Sequence, residues 1–566
     1  MGVFHSIRRD KVIGNRHILD KVEKSKIISG NMSKDIAVFF TAGRIQGRTL
    51  RLEREKYMNN PVNPLIWSDI PDLDIIRVAD TYYMTSTTMY FTPGCPIMKS
   101  KDLVNWETIG YVYDILDDND HMTLQNGKHD YGRGSWASCI RYHNGTFYVI
   151  FSAINTGKTY IFKTTDIEAG QWEKHCLDSV YHDMSLLFDD DGRVYMVYGA
   201  GTIKVVELTA DATKIKPGGL DKVIIQNADI SGGNSLAEGA HIYKKDGLYY
   251  ITMIVWPHTG TRRRIQVCYR ADAIDGIYEG RVVLDDDMGF NNAGVAQGGV
   301  VDTPNGDWYA LLFQDHGAVG RIPILVPVKW KDGWPVFGVD GKIPAEMPLP
   351  AKIDETACIA TSDEFDKNAL PLQWQWNHNP DNAHWSLTAR PGWLRLVTGS
   401  ISRCLSDARN TLTQRTFGPV CTGSVLVDIS NMKNGDFAGL AALQDQYGYV
   451  GVKMADGKKC VIMATAPDVP EYKTGIPEIE AECVPLDADK LYLKVHFDFT
   501  DAIDEAYFYY SLCGNDWVKI GHKLKMSYRL THFTGYRFAL FNFATEATGG
   551  HVDFDWFRLG DCNNAN

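Results

Sequence analysis

The chain has 566 residues, 44% of them hydrophobic and 23% charged, which is the composition of a globular protein with room for two or more domains. A formal net charge of −12 argues against a nucleic-acid-binding or anionic-membrane surface, which needs clustered Lys and Arg. No apolar run is long enough to span a bilayer, so we expect a soluble protein with neither nucleic acid nor membrane as a partner.

The cysteines indicate a reducing compartment. There are 11 of them, an odd number, and they show no C-x-x-C or His/Cys metal spacing. We interpret them as free thiols, and the N-terminus lacks the basic, apolar and small-residue pattern of a secretory signal. The expected location is the cytoplasm.

Residues 1–57 differ from the rest of the chain. They carry 13 Lys or Arg against 6 Asp or Glu and show no strand-turn-strand pattern. Met58 begins the sequence MNNPVNPLIW, which is typical of the start of a folded unit. We predict that 1–57 is a disordered N-terminal extension or misassigned upstream sequence, with Met58 as the effective start.

A repeat follows, in which a short turn separates two apolar strands five times. The predicted turns are Asp80-Thr81, Asn144-Gly145, Asp191-Gly192, Asp246-Gly247 and Asn305-Gly306. They are separated by about 64, 47, 55 and 59 residues, which is close to what four short antiparallel strands and their loops occupy in one propeller blade. Apolar runs of Val, Ile, Tyr and Phe predict an all-β chain, with a five-bladed β-propeller at 58–345.

The repeat also selects one position in each blade. Eight residues before the turns stand Asp72, Trp136, Asp183, Glu238 and Gln297. Stacking the blades around an axis brings these side chains together in a central funnel. Three carboxylates in one pocket repel each other, which raises the pKa of at least one and leaves an acid beside a base near neutral pH. Glycoside hydrolysis needs that pair.

The second half of the chain has a different pattern. A proline-containing linker is predicted at 346–361, and from 362 to 566 alternating strands such as SVLVDI, YVGVKM and YLKVHFDF predict a β-sandwich. The expected fold is therefore all-β, a five-bladed β-propeller followed by a β-sandwich domain.

Three sequence blocks resemble glycoside hydrolase family 43. They are NPLIWSDIPDLDIIRVADTYYM, YHDMSLLFDDDGRVYMVYG and EGAHIYKKDGLYYI. The resemblance implies that Asp72 is the general base, Asp183 the aspartate that modulates and orients the acid, and Glu238 the general acid. The chain departs from the family pattern at Asp72-Leu73-Asp74, where relatives have D-P-S, which adds a neighbouring charge to the base.

Further blocks resemble the β-xylosidases and α-L-arabinofuranosidases of the family. GRIPILVPVKWKDGWPV implies that Arg321 faces the sugar subsite and the modulating aspartate, and GSWASCIRYHNG implies that Trp136 stacks on a sugar face. The C-terminal region is similar to the concanavalin-like, lectin-like sandwich of that group. There a sandwich loop shortens the pocket, and HFTGYRFALF makes Phe533 the candidate residue.

Gln297 stands where many relatives have a histidine that helps to hold a calcium ion or water. Its amide oxygen is a hard ligand suited to Ca²⁺. The resemblance therefore implies a structural or activating calcium ion with Gln297 as a ligand, while the chemistry itself requires no cofactor.

The expected function is that of an exo-acting inverting glycosidase on small oligosaccharides, releasing xylose from β-1,4-xylo-oligosaccharides and terminal α-L-arabinofuranose from arabinoxylan fragments. One alternative is a retaining five-bladed fructosidase, although its W-x-N-D-P-N-G opening is absent. Others are a non-catalytic carbohydrate-binding propeller with a lectin-like sandwich, and a scaffold propeller for protein partners. A homo-oligomer is left open.

Overall fold

The computed structural model describes residues 62–230, 235–347, 349, 359–468 and 475–560. The predicted extension 1–57 and its proposed start at Met58 lie outside these residues. Among the described residues, no helix is both long and apolar enough to cross a membrane. Their nine cysteines are all free thiols, as the sequence predicts.

The first part of the chain forms five four-stranded antiparallel sheets, and each sheet is one blade. The opening strands are β1 (Asp74–Val78), β2 (Thr81–Thr85), β3 (Phe91–Thr92), β4 (Gly94–Ser100) and β5 (Glu107–Tyr113), and all but β3 form blade one. Blade two contains β6 (Ser135–His143), β7 (Thr146–Ala153), β8 (Lys158–Thr164) and β9 (Glu173–Leu177). Blade three contains β10 (Ser185–Phe188), β11 (Val194–Tyr198), β12 (Ile203–Leu208) and β13 (Asp221–Ile225). Blade four contains β14 (Ala237–Lys245), β15 (Leu248–Val255), β16 (Ile265–Ala271) and β17 (Glu279–Leu284). Blade five contains β18 (Ala296–Asp302), β19 (Trp308–Asp315), β20 (Arg321–Lys331) and β21 (Trp334–Phe337).

The first strands of the five blades close a ring. Strand β1 packs beside β6 and β18, β10 packs beside β6 and β14, and β14 packs beside β18. The interior strands β7 and β15 are almost fully buried and rich in Ile, Val, Phe and Tyr, because both faces of an inner blade strand lie against neighbouring blades. The five-bladed propeller is confirmed.

Two of the predicted turns are found where the sequence places them. Asn144-Gly145 and Asp246-Gly247 each join directly paired strands as two-residue turns. All four residues have positive φ, the mirror-image turn geometry for which Asn-Gly and Asp-Gly are the preferred pairs.

The other three turns differ from the prediction. Val78 pairs with Thr81, so the first turn is Ala79-Asp80, one residue earlier than predicted. In blades three and five the connections are the longer loops 189–193 and 303–307. In each of these the glycine N–H donates to the carbonyl three residues before it, which closes a turn inside the loop rather than a two-residue hairpin.

The C-terminal part forms two large sheets packed face to face. Its strands are β22 (Gln375–Asn377), β23 (Trp385–Ser386), β24 (Leu394–Val397), β25 (Leu412–Arg415), β26 (Val420–Asn431), β27 (Asp436–Leu443), β28 (Gly448–Ala455), β29 (Lys458–Thr465), β30 (Ile479–Leu486), β31 (Lys490–Asp498), β32 (Glu505–Ser511), β33 (Val518–Lys519), β34 (Leu524–Lys525), β35 (Arg537–Ala544) and β36 (His551–Gly560). One sheet has the order β3-β22-β25-β35-β27-β28-β29-β30 and the other β23-β24-β36-β26-β31-β32-β33. Three single turns of 3₁₀ helix lie at Gly317–Val319, Leu405–Asp407 and Thr500–Ala502. The predicted β-sandwich is confirmed.

The sandwich and the propeller share structure. Strand β3, which belongs to blade one in sequence, pairs with β22 and so extends a sandwich sheet. The buried Asp69 carboxylate accepts the backbone N–H of Arg321 in blade five and of Gly535 in the sandwich, both at 2.8 Å. Blade five and the sandwich interior also contribute to one apolar cluster. These contacts fix the loop that carries Phe533 over the end of the ring.

Candidate active site

Three carboxylates enter one end of the ring from three different blades. Asp72 and Asp183 each lie two residues before the first strand of their blade, and Glu238 is the second residue of β14. Asp72 and Asp183 have φ of 49° and 45°, in the left-handed region, and a β-bulge follows Glu238. Such left-handed residues and bulges re-aim side chains at the ends of strands, here into the axis of the propeller.

All the residues that the sequence analysis selects line one cavity of about 240 Å³. These residues are Asp72, Trp136, Asp183, Glu238, Gln297, Arg321 and Phe533. The cavity is also lined by residues that the sequence analysis does not select, namely Met89, Ala137, His182, Leu236, Trp256, Arg264 and Leu530. The sequence repeat therefore brings its five chosen positions together, as predicted.

The Asp72 carboxylate is buried and held from both oxygens. Arg321 Nη1 donates to Oδ1 at 2.5 Å, and Thr87 Oγ1 donates to Oδ2 at 3.0 Å. Burial raises the pKa of the Asp72 carboxyl above its ordinary value, while the Arg321 charge and the Thr87 hydrogen bond act in the opposite direction. The two hydrogen bonds fix the orientation of this carboxylate in the cavity.

The ion-pair partner of Arg321 in the structure is Asp72. The resemblance implies that Arg321 faces the sugar subsite and Asp183; the guanidinium lines the same cavity as Asp183, pairs with Asp72 and lies 3.4 Å from Asp315. The reason is topological, because β20 belongs to blade five, which closes the ring against blade one, whereas Asp183 enters from blade three. The guanidinium also lies over the Phe533 ring, 4.3 Å from its centroid.

Asp183 lies between two other charged groups. Its Oδ2 accepts the backbone N–H of Gly239 at 3.0 Å and is 3.5 Å from His182 Nε2. Burial raises the pKa of Asp183 to about 6; Glu238 and Asp72 add to this rise, and the His182 charge opposes it. Protonation of this carboxyl is therefore linked to the charge state of Glu238.

His182 is a site residue that the sequence analysis missed. Its Nε2 lies 2.9 Å from Glu238 Oε2. Burial alone would lower the pKa of the imidazole, but the hydrogen bond with Glu238 and the charges of Asp183 and Glu238 raise it to about 9. The sequence signal that could have identified His182 is its position beside Asp183 in YHDM. Strand alternation assigns such neighbours to opposite faces, but Asp183 has a left-handed backbone before the strand begins, so alternation does not hold there.

Aromatic side chains form two walls of the cavity. The rings of Trp136 and Phe533 are nearly parallel, with 9° between their planes and 6.2 Å between centroids. Trp136 Nε1 donates to the Gly132 carbonyl at 3.2 Å, which leaves its ring face toward the cavity. Phe533 comes from the sandwich, with φ of 60°, so the second domain completes a site built mainly by the first.

A second charged group lies deeper in the ring. Asp74, fully buried, pairs with Arg141 Nη1 at 2.6 Å and lies 3.1 Å from His241 Nδ1. It also accepts the backbone N–H of Ile140 at 3.0 Å. Burial acts against ionisation of Asp74, but Arg141 and His241 outweigh it and hold the pKa of this carboxyl well below its ordinary value. We call Asp74, Arg141 and His241 the floor cluster.

Few of the side chains described around Gln297 could bind the expected calcium ion. The backbone N–H of Gln297 donates to Gln266 Oε1 at 2.7 Å, and its side chain packs against Gly239. The Asp74 carboxylate of the floor cluster is already satisfied by a guanidinium and an imidazole. Ca²⁺ takes six to eight oxygen ligands, so these residues fit the ion poorly. The calcium ion stays a prediction, and no step below depends on it.

Comparison with known proteins identifies the family. Residues 61–335 match the description "Glycosyl hydrolases family 43", and residues 362–559 match "Beta xylosidase C-terminal Concanavalin A-like domain". The chain is 30% identical to a beta-xylosidase of Formosa agariphila, over 88% of this chain and 89% of that protein. The chain belongs to glycosyl hydrolase family 43. The family resemblance seen in the sequence, and the expectation of a glycosidase, are confirmed at that level.

Other relatives of this family 43 chain differ in name. It is 31% identical to a non-reducing end alpha-L-arabinofuranosidase of Bacteroides ovatus, over 68% of this chain and 73% of that protein. A solved chain described as "Bifunctional GH43-CE", from Bacteroides eggerthii, is 51% identical with a TM-score of 0.84. The alignment covers 89% of this chain and 64% of that one, so this chain spans less than two thirds of its length.

Proposed function

We propose that this family 43 chain is an exo-acting inverting glycosidase that releases xylose from β-1,4-xylo-oligosaccharides and terminal α-L-arabinofuranose from arabinoxylan fragments. The observation that carries the proposal is the meeting of Asp72, Asp183 and Glu238 in one cavity. The names of the relatives support the two substrates, since one is called a beta-xylosidase and another an alpha-L-arabinofuranosidase.

The size and walls of the cavity support exo action. A volume of about 240 Å³ equals the share of about eight water molecules at roughly 30 Å³ each, which suits a single sugar ring. Phe533 and Trp136 wall the cavity, an arrangement that favours a chain end over a continuous chain. Either aromatic face can stack on the apolar face of a sugar.

In the proposed reaction Asp72 takes a proton from a water molecule that attacks the anomeric carbon, and Glu238 gives a proton to the leaving glycosidic oxygen. Arg321 and Thr87 orient the Asp72 carboxylate for this attack. Inversion needs room for the water, so we expect the two carboxyl groups to stand roughly 6.5–9.5 Å apart.

Two neighbours support Glu238 as the acid. Asp183 lines the same cavity, and its charge interacts with that of Glu238. His182 shares a hydrogen bond with Glu238 and has a pKa of about 9, so the pair holds at least one proton at neutral pH. We propose His182 as a positioning residue that keeps this proton next to the leaving-group oxygen.

The free thiols of the described residues support the proposal of a reducing, cytoplasmic location, since none of the nine cysteines there is in a disulfide.

The test is a proton NMR time course with xylobiose and with an arabinofuranosyl-xylotriose, recorded before the released sugar mutarotates. Prompt α-xylose from the β-linked substrate is expected for inversion. Prompt β-xylose would contradict it. Absence of release from both substrates by folded protein, with and without Ca²⁺, would overturn the hydrolase in favour of a binding protein.

A further inference from the structure

A second cavity, of about 530 Å³, lies beside the catalytic one. Its basic lining residues are His121, Lys128, His129 and Arg133, and no Asp or Glu lines it within the described parts of the chain. We call it the basic cavity. A basic lining stands out in a chain whose net charge is −12.

The basic cavity adjoins the mouth of the active site. Leu530 of the sandwich lines both cavities and is 65% exposed, so it forms the ridge between them. Trp136 of the catalytic wall donates to the carbonyl of Gly132, which also lines the basic cavity. A Cβ built on Gly132 would lie 2.6 Å from the Thr531 carbonyl, so the blade and sandwich loops are in close contact here. The two cavities therefore meet at Leu530.

Arg133 carries the most accessible positive charge in the basic cavity. It is exposed, and in the part of the chain that the structure describes no carboxylate lies within 4.0 Å of its guanidinium. The carboxyl that interacts with it, Asp130, is 2% exposed. Burial raises the pKa of Asp130 to about 7, against the lowering effects of Asn155 and Arg133. Near neutral pH this carboxyl therefore cancels only part of the Arg133 charge.

The other basic groups have defined states. Lys128 pairs with Asp120 at 2.9 Å, and both side chains are more than a third exposed, so the pair is weak and leaves the ammonium accessible. Burial, with Arg133 and His121 adding to it, lowers the pKa of His129 to about 4. His129 is thus neutral, and the positive field comes from Arg133 and Lys128, with His121 3.1 Å from the His129 carbonyl.

We propose that the basic cavity binds the carboxylate of a uronic acid that branches from the leaving-group part of the oligosaccharide substrate. The planar guanidinium of Arg133 suits bidentate pairing with a carboxylate, and Lys128 adds a point charge beside it. The proposal rests on the proposed function for its substrate, and it adds a preference for acidic over neutral xylo-oligosaccharides.

The experiment compares kcat/KM for a neutral xylo-oligosaccharide and for the same oligosaccharide carrying one glucuronic acid. Wild type is expected to prefer the acidic substrate by about tenfold, the usual worth of a hydrogen-bonded charge pair. Arg133→Gln is expected to remove that preference and to leave the neutral substrate within about twofold. Arg403→Gln is the matched control, because Arg403 is also exposed but does not line the basic cavity; it should change neither value.

Equal kcat/KM for the two substrates in wild type would overturn the proposal, as would an equal loss on both in Arg133→Gln. Calorimetry with each oligosaccharide separates this result from a failure of the proposed function. If wild type cleaves neither substrate but still binds the acidic one more tightly through Arg133, the basic site stands and the hydrolase proposal falls. Free glucuronate binding as tightly as the branched oligosaccharide would overturn the assignment to a substrate branch.

Discussion

Aspartates have different roles at two places in the propeller ring. One place is the end with the catalytic cavity, which we call the mouth, and the other is the floor cluster. Asp72 and Asp74 are two residues apart at the entry to β1, and both are buried. Asp72 has a raised pKa and faces a cavity with Asp183 and Glu238, whereas Asp74 has a lowered pKa and pairs with Arg141 and His241. Charge is balanced at the floor and left partly unbalanced at the mouth. The floor cluster therefore serves stability, and the mouth keeps carboxylates whose protonation can change during a reaction.

The largest expected effect is at the mouth. Glu238→Gln keeps the shape of the acid and removes its proton, so kcat is expected to fall by about 10²- to 10⁴-fold. The melting temperature should stay close to that of wild type, because Glu238 is not part of the floor cluster. Initial rates on xylobiose and a thermal melt test both statements, and a variant with near-normal rates would remove Glu238 from the proposed chemistry.

At the floor cluster we expect the opposite, a large loss of stability. Asp74→Asn leaves the Arg141 guanidinium buried without an anion, which is expected to cost about 3–5 kcal/mol of unfolding free energy. Urea titration measures this cost, and the double variant Asp74→Asn/Arg141→Met is the control, since it removes both charges and should recover part of the loss. A single variant as stable as wild type would show that the floor cluster does not stabilise the ring.

The pH dependence of stability follows from the same pair. A carboxyl with a lowered folded-state pKa contributes stability above its unfolded pKa of about 3.9, and that contribution is lost as pH falls through the folded value. The Asp74→Asn variant should therefore lose less stability than wild type on acidification below about pH 4.

The third expected effect concerns His182 and the pH dependence of kcat/KM. The His182 and Glu238 pair holds its proton up to about the His182 pKa of 9, so wild-type kcat/KM should fall above that pH. His182→Gln removes the group whose pKa is about 9, so this alkaline limb should move away from pH 9, with a loss of roughly tenfold at neutral pH. A pH profile of kcat/KM for wild type and variant measures the position of the alkaline limb. An unmoved alkaline limb would mean that His182 does not keep the proton of the acid.

A smaller effect is expected at the sandwich wall. Phe533→Ala removes the ring over Arg321 and one wall of the cavity, and kcat/KM on xylobiose should fall by about fivefold, in keeping with roughly 1 kcal/mol for the cation–π contact. Leu530→Ala, on the same loop, is the comparison variant, because it also trims the cavity lining but keeps the ring over Arg321. If both variants lose the same activity, the effect belongs to the loop and not to the ring of Phe533.

The smallest effect is expected from metal removal. Because the residues around Gln297 fit calcium poorly and the floor already contains the Arg141 charge, treatment with a chelator should change kcat by less than about twofold. Restoration of activity by Ca²⁺ after a large loss would show that the ring holds an ion.

The sequence predicted the mouth better than the floor. Asp72, Asp183 and Glu238 could be selected because a repeat places equivalent residues at equivalent positions, whatever the details of each turn. Arg141 and His241 could not, because their role depends on which strands meet across the axis. The same limit explains why the sequence did not predict the pairing of Arg321 with Asp72 and missed His182, since these contacts are set by ring closure and by the left-handed backbone at Asp183. Strand β3 is only two residues long and carries no local signal of its partner in the sandwich.

The hydrogen bond between Asp69 and Gly535 has a consequence for folding during translation. The two residues are 466 positions apart, and the ribosome adds roughly 5–20 residues per second, so the first partner waits about 20–90 s for the second. For most of that interval β3 has no strand to pair with, because its partner β22 lies at Gln375–Asn377. The cavity acquires its last wall only when the sandwich loop has been translated, so its complete lining forms near the end of synthesis.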